Sequence, residues 1–131
     1  MRKMYCVLLV VILSLSMMGC SSIQHEQGAS VSLHMVRDGI AVTEAVTDEE
    51  AEVILNILNG KISNKSFLTT RWSCPFGLDL AISIDETVYV IAQDDCGVIW
   101  QEESTYCYRI SAEEKETLEQ IFLAHGSEHR E

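Results

Sequence analysis

"LDLAISIDETVYVIAQDDCGVIWQ", residues 78–101, decides the fold of this chain. Leu78, Leu80, Ile82 and Ile84 alternate with Asp79, Ala81, Ser83 and Asp85, the period-two pattern of a strand with one buried face. Asp85-Glu86 interrupts the pattern before "TVYVIAQ", and Asp94-Asp95-Cys96-Gly97 interrupts it again before "VIWQ". After "EES" comes "TYCYRI", a fourth strand-like run. Connections this short join antiparallel neighbours, so the stretch predicts a four-strand antiparallel meander.

On the N-terminal side, Val31, Leu33 and Met35 alternate with Ser32 and His34. Asp38-Gly39 then separates this run from "IAVTEAV", and an Asp-Gly pair between alternating segments is a strong hairpin signal. Thr47 with Glu50 three residues on reads as a capping box opening a helix, whose apolar stripe is Ala51, Ile54 and Leu58 with Val53 and Ile57. Gly60 is its expected stop. A weaker reading places one further strand around "SFLTTRW". Beyond the meander, Ser111 and Glu114 open a second helix with Leu118, Ile121 and Phe122 on its buried side, and Gly126 ends it. The expected fold class is therefore α+β: an antiparallel sheet, hairpin plus meander, with two amphipathic helices packed on one face. Its expected span is 31–126, a single domain, with no repeat or linker to divide it.

The chain begins with Arg2 and Lys3 and continues from Met4 to Met18 with only Ser14 and Ser16 interrupting an apolar run. A basic start, a hydrophobic stretch of roughly 7–15 residues and a small residue at the cut describe a secretory signal. A spanning helix needs about 20 apolar residues. Ending in Gly19-Cys20-Ser21-Ser22, the segment resembles the signal peptide and lipobox of bacterial lipoproteins. That resemblance implies a signal peptide over 1–19, removal of which leaves Cys20 as the first residue, carrying thioether-linked diacylglycerol. It implies anchoring of the protein on the extracytoplasmic face of a membrane. Residues 20–30, polar and without periodicity, read as the lipidated cysteine and a flexible tether, and 127–131 as a flexible tail.

The chain carries 20 acidic against 9 basic side chains, a formal charge of −11 that deepens by two once Arg2 and Lys3 are cut away. A nucleic-acid partner is excluded, because neutralising phosphates takes basic patches. Attraction to anionic lipid, other than through the anchor, is disfavoured by the same charge.

Cys74, Cys96 and Cys107 remain beyond the lipobox, and an exported chain meets an oxidising compartment. Cys74 and Cys96 sit in turn-like sequence at strand edges and are the expected disulfide, worth roughly 3 kcal/mol in the chain-entropy model. Cys107, within a strand, reads as a small buried hydrophobe. Pairing of Cys107 with either of the others stays open at this level. The cysteine-framed half, from "CPFGLDL" to "KETLEQIF", loosely resembles small exported domains and lipoproteins of Gram-positive bacteria, which implies no activity.

No stretch carries a catalytic signature. "HGSEH" puts His125 and His129 at the separation of a helical zinc motif, but Glu128 stands in the wrong place and Gly126 ends the helix, so a solvated terminus is expected. Asp94 and Asp95 could hold a cation, although acids before a glycine are first of all turn formers. A catalytic thiol at Cys107 would need a neighbouring base or cation, and Arg109 is the one candidate on its strand face. Trp72 and Phe76, beside the proposed bridge, are with Asp94 and Asp95 the candidate binding surface. The functional expectation is a non-enzymatic envelope lipoprotein that uses no cofactor and no bound metal, and whose acidic domain binds an envelope protein or ligand. The alternative is a metal-handling lipoprotein using Asp and His ligands.

Overall fold

The computed structural model describes Lys3, Met4, Cys6 and residues 22–63, 76–104 and 106–127. They form six strands and two helices: β1 (Val31–Arg37), β2 (Ile40–Ala45), α1 (Asp48–Leu58), β3 (Phe76–Ile84), β4 (Thr87–Ala92), β5 (Val98–Gln101), β6 (Cys107–Arg109) and α2 (Ala112–Ala124). The strands make one sheet in the order β2-β1-β3-β4-β5-β6, antiparallel throughout. The fold is thus α+β, with the predicted hairpin at one end and the predicted meander filling the rest. The expected strand around "SFLTTRW" lies outside the described residues. No helix among the described residues is long and apolar enough to cross a membrane.

Local chemistry accounts for each turn. Asp38 and Gly39 both take left-handed φ, 54° and 74°, as a two-residue hairpin with the strand's own twist demands. Both capping boxes form: the Thr47 and Ser111 side chains accept from the backbone of Glu50 and Glu114, whose carboxylates return to the cap N–H. At Gly77 an added Cβ would lie 2.5 Å from Asp79 Oδ1 and 2.9 Å from Gln93 Nε2. Those two side chains hydrogen-bond over the glycine, within the stretch from Phe76 to Ala81 where β3 shifts register on β4.

β2 and β3 both run antiparallel to β1, on either side of it, so the chain between them must cross one face of the sheet, and α1 lies on that path. Val31, Leu33, Met35, Leu80, Ile82, Ile84, Tyr89, Ile91, Ile99 and Tyr108 meet Ile54, Leu55 and Leu58 of α1 and Leu118 and Phe122 of α2 in one buried cluster. The helical stripe differs from expectation: Leu55 is buried and Val53 is 40% exposed, because the sheet lies under the 54–55–58 side of α1. The other face of the sheet is covered in part, although Asp79 of β3 stays exposed as its alternation predicts. Ala81, Val90, Ala92, Val98 and Cys107 on the other face are also buried, which suits the unbroken apolar run of β4.

Two boundaries are corrected. Residues 20–30 were expected to be a flexible tether, yet Ile23 is 2% exposed and belongs to the main core. Its N–H donates to the Lys61 carbonyl and its carbonyl accepts from Gly60 N–H, each at 2.9 Å, while Asn59 pairs with both peptide groups of His25. The domain therefore starts by Ser22 and not at Val31, because a lone isoleucine in a polar run leaves no periodicity to read. At the other end, Ser127 is buried rather than part of a free tail. Ser127 N–H reaches Phe122 O at 3.1 Å and Gly126 N–H reaches Leu123 O at 3.0 Å, with Gly126 at φ 82°. These paired bonds form a Schellman cap that pulls the next residue in.

Candidate binding groove between the helices

Both helices spend few residues on the core. α1 buries Ile54, Leu55 and Leu58, and α2 buries Leu118 and Phe122. Between their outer sides runs an open cleft of about 470 Å³ lined by Glu49, Glu50 and Val53 from α1 and Thr117, Gln120, Ile121 and Ala124 from α2. Residues 117, 120, 121 and 124 are one stripe at helical spacing, so the wall is continuous over two turns. Val53, 40% exposed, and Ile121 supply the apolar floor.

Both helices are rich in acids, of which Glu49 and Glu50 line the cleft, while the α2 wall itself is uncharged. α1 contains Asp48, Glu49, Glu50 and Glu52 and no basic residue, while α2 contains Glu113, Glu114, Glu116 and Glu119 with Lys115 alone. Lys115 is committed to Glu119 at 3.7 Å and to the Asp94 carbonyl. Lys61 binds Glu114 at 2.9 Å, and that bond together with the Ser111 backbone outweighs burial and holds the Glu114 carboxyl below its ordinary value. The cations beside the helices are thus occupied by particular partners.

One end of the groove is closed by a charged clasp. His125, the C-cap of α2, sets Nδ1 2.8 Å from Glu44 Oε1 and Nε2 2.7 Å from Glu50 Oε2. Arg37 donates to Glu44 Oε2 at 2.7 Å and to the His125 carbonyl at 3.1 Å. Two carboxylate acceptors need two N–H donors, so the ring is imidazolium. The hydrogen bond to Glu44 leads the causes that raise His125 above 6.5; burial opposes it, and Glu50 adds to it. In return His125 and Arg37 hold Glu44 below the usual carboxylate range. For Glu50 burial pushes the carboxyl up, and its bonds to His125 and Thr47 more than reverse this. The clasp corrects the expectation that His125 lies in a solvated tail: its side chain is 13% exposed. Glu128 and His129 lie outside the described residues.

A second histidine dock lies at the opposite end of the chain. His25 Nε2 meets Tyr89 Oη at 2.7 Å, the rings edge to face, and Tyr89 stacks edgewise on Tyr108, whose hydroxyl donates to Gln101. Burial lowers His25 below 6.5 against the opposing pull of Asp85. Burial, with the Tyr108 phenol beside it, pushes Tyr89 up to about 12.

Asp94 and Asp95, singled out from sequence, do not line this groove. Asp94 Oδ1 accepts from Cys96 N–H at 2.9 Å and so closes its own turn, with Asp95 exposed beside it. Phe76 is paired in β3 opposite Ala92, whereas Trp72 and Cys74 lie outside the described residues, as does Cys20. Cys96 is in a disulfide whose partner is not among the described residues, and Cys107 is a thiol, 1% exposed, packed with Val98, Cys96 and Trp100. Among the described residues no three His, Cys, Asp or Glu side chains are placed to hold a metal ion. His34 Nδ1 lies 3.0 Å from Thr43 Oγ1, and its Nε2, like Ser127 Oγ, is buried without a partner among the described residues.

Sequence reasoning passed over Glu44, Glu50, His125 and Arg37 as a group. Strand alternation held one usable signal. Glu44 shares the helix-facing side of β2 with Val42, which lies opposite the buried Met35, so this carboxylate had to find a donor on the helical layer. No family model, curated protein or solved structure matches the chain.

Proposed function

We propose that this protein is a lipid-anchored cell-envelope lipoprotein whose acidic domain binds a partner rather than catalysing a reaction. The observation that carries the binding half is the open cleft between α1 and α2, floored by Val53 and Ile121, with Glu49 and Glu50 on its α1 side and Thr117, Gln120 and Ala124 on its α2 side. Apolar side chains held at the surface over two helical turns are more useful for recognition than for stability. Anchoring is supported by the Gly19-Cys20 lipobox at the end of an apolar leader.

An anchor also suits the docked N-terminal strap. With Ile23 held against α1, Ser22 is only two residues from Cys20, so the domain would ride close to the bilayer. Its net negative charge would keep it from adhering to anionic headgroups. The test is metabolic labelling with a radioactive fatty acid in a bacterial host. The wild-type chain is expected to take up label and fractionate with membranes, and Cys20→Ala to do neither. An unlabelled wild type would overturn the anchored reading.

A further inference from the structure

We infer that the α1–α2 cleft docks a cationic amphipathic helix of a partner protein, an inference that rests on the partner-binding reading above and gives it a chemistry. The shape comes first. Thr117, Gln120, Ile121 and Ala124 recur at the spacing of one helix face, and Glu49, Glu50 and Val53 oppose them, so the cleft follows the helix direction. From Thr117 to Ala124 the wall is about 10 Å long at 1.5 Å per residue. That length accepts about two turns of a third helix, entering with apolar side chains at i, i+3 or i+4, and i+7. Thr117 and Ala124 are small enough to let a backbone come near.

Charge selects the occupant. Glu49 and Glu50 line the cleft, and Glu113 continues the Thr117–Ala124 stripe one turn back. Glu50 is neutralised in place by His125, while Lys61 and Lys115 are held by Glu114 and Glu119. An apolar stripe flanked by Lys or Arg gains from this field, and one flanked by acids is repelled. The same reasoning removes two rivals. A second copy would set one acidic helical layer against another, in a chain of formal charge −11. An anionic membrane surface meets the same repulsion.

The experiment uses the full mature chain and synthetic helical peptides of about four turns. One carries a Leu stripe with Lys flanks, one the same stripe with Glu flanks, and one the Lys composition with the stripe scrambled. Vesicles of anionic lipid serve as a fourth probe. Expected is saturable binding of the Lys-flanked peptide alone, weakened at least about fivefold by Ala124→Trp, which fills the cleft, and about threefold by Glu49→Gln with Glu113→Gln. All three positions are exposed, and unchanged melting curves certify that the variants are folded.

Equal binding of the scrambled peptide, tighter binding of the Glu-flanked peptide or of vesicles, or indifference to Ala124→Trp overturns the cleft proposal. Photo-crosslinkers placed at Val53, in the cleft, and at Asp95, outside it, in envelope preparations separate the two levels of inference. An adduct from Asp95 with none from Val53 defeats the cleft and leaves the partner-binding reading standing. Absence of adducts from both, together with no peptide binding, defeats both.

Discussion

His25 and His125 do the same mechanical work at opposite ends of the domain, and their surroundings shift their protonation in opposite directions. Each ties a chain end onto the body through a 2.7 Å contact, one to the Tyr89 phenol and the other to the Glu50 carboxylate. His25 closes the strap and sits edge to face on Tyr89, where burial disfavours charge and lowers its pKa. His125 sits between two carboxylates that favour charge and raise it. The surroundings, and not the residue type, decide which histidine is pushed toward its charged form. One end of the molecule is therefore held by packing and hydrogen bonds, the other by a salt-linked clasp that also closes one end of the groove.

The largest expected effect comes from removing the apolar anchor of the neutral end. Ile23→Ala should cost about 2–4 kcal/mol, read as a lower thermal midpoint, with Ile23→Asp costing more because it forces a charge into the core. If neither variant moves the melt, Ser22–His25 is a tether after all.

Next is the charged end. His125→Ala removes two charge-assisted hydrogen bonds and leaves Glu44 and Glu50 without their shared donor, an expected loss of about 1–2 kcal/mol near pH 6. Raised salt should weaken the wild-type clasp more than this variant, in which only the Arg37–Glu44 pair remains to be screened. Equal salt sensitivity in both proteins would show that the clasp contributes no electrostatic stability.

A smaller change is expected from Asn59→Ala, which deletes two hydrogen bonds to the His25 backbone, about 1 kcal/mol in all because the site is partly exposed. Hydrogen exchange should accelerate at the strap amides and stay slow in β3 and β4. Acceleration across the whole sheet would mean that the strap and the core open together.

The finest test is the pH profile of stability. His125, raised above 6.5 in the folded state, gives stability that is complete below 6.5 and is lost as pH rises through its folded value. His25, lowered below 6.5, gives stability that is present above 6.5 and is lost as pH falls toward its folded value. Stability should therefore crest near pH 6.5. His125→Gln should flatten the alkaline limb and His25→Gln the acid one, each by a fraction of a kcal/mol to about 1 kcal/mol. A profile in which either substitution flattens the other's limb would reverse the assigned protonation states.

The fold was largely legible because its signals are local. Alternation in Val31–Met35 and Leu80–Ile84, the Asp38-Gly39 turn and the Thr47–Glu50 and Ser111–Glu114 boxes each lie within a few residues and rest on backbone geometry and adjacent hydrogen bonds. Where local pattern was ambiguous the reading slipped. Val53 and Leu55 are both apolar on α1, and only the position of the sheet beneath decides that Leu55 is buried and Val53 left facing the cleft.

The groove and the two histidine docks were not legible. Their partners stand 64 residues apart for His25 and Tyr89, 81 for His125 and Glu44, and 75 for His125 and Glu50. The antiparallel meander, the hairpin, both helix starts and both glycine stops follow from residue order alone, because periodicity and capping act over one or two turns of chain. That Ile23 is core, that His125 is clasped and not solvated, and that two acidic helices leave a cleft with an apolar floor between them came from packing across the fold. Those outcomes depend on which faces the β2-to-β3 crossover and the α2 return bring together, and no short-range pattern encodes that meeting.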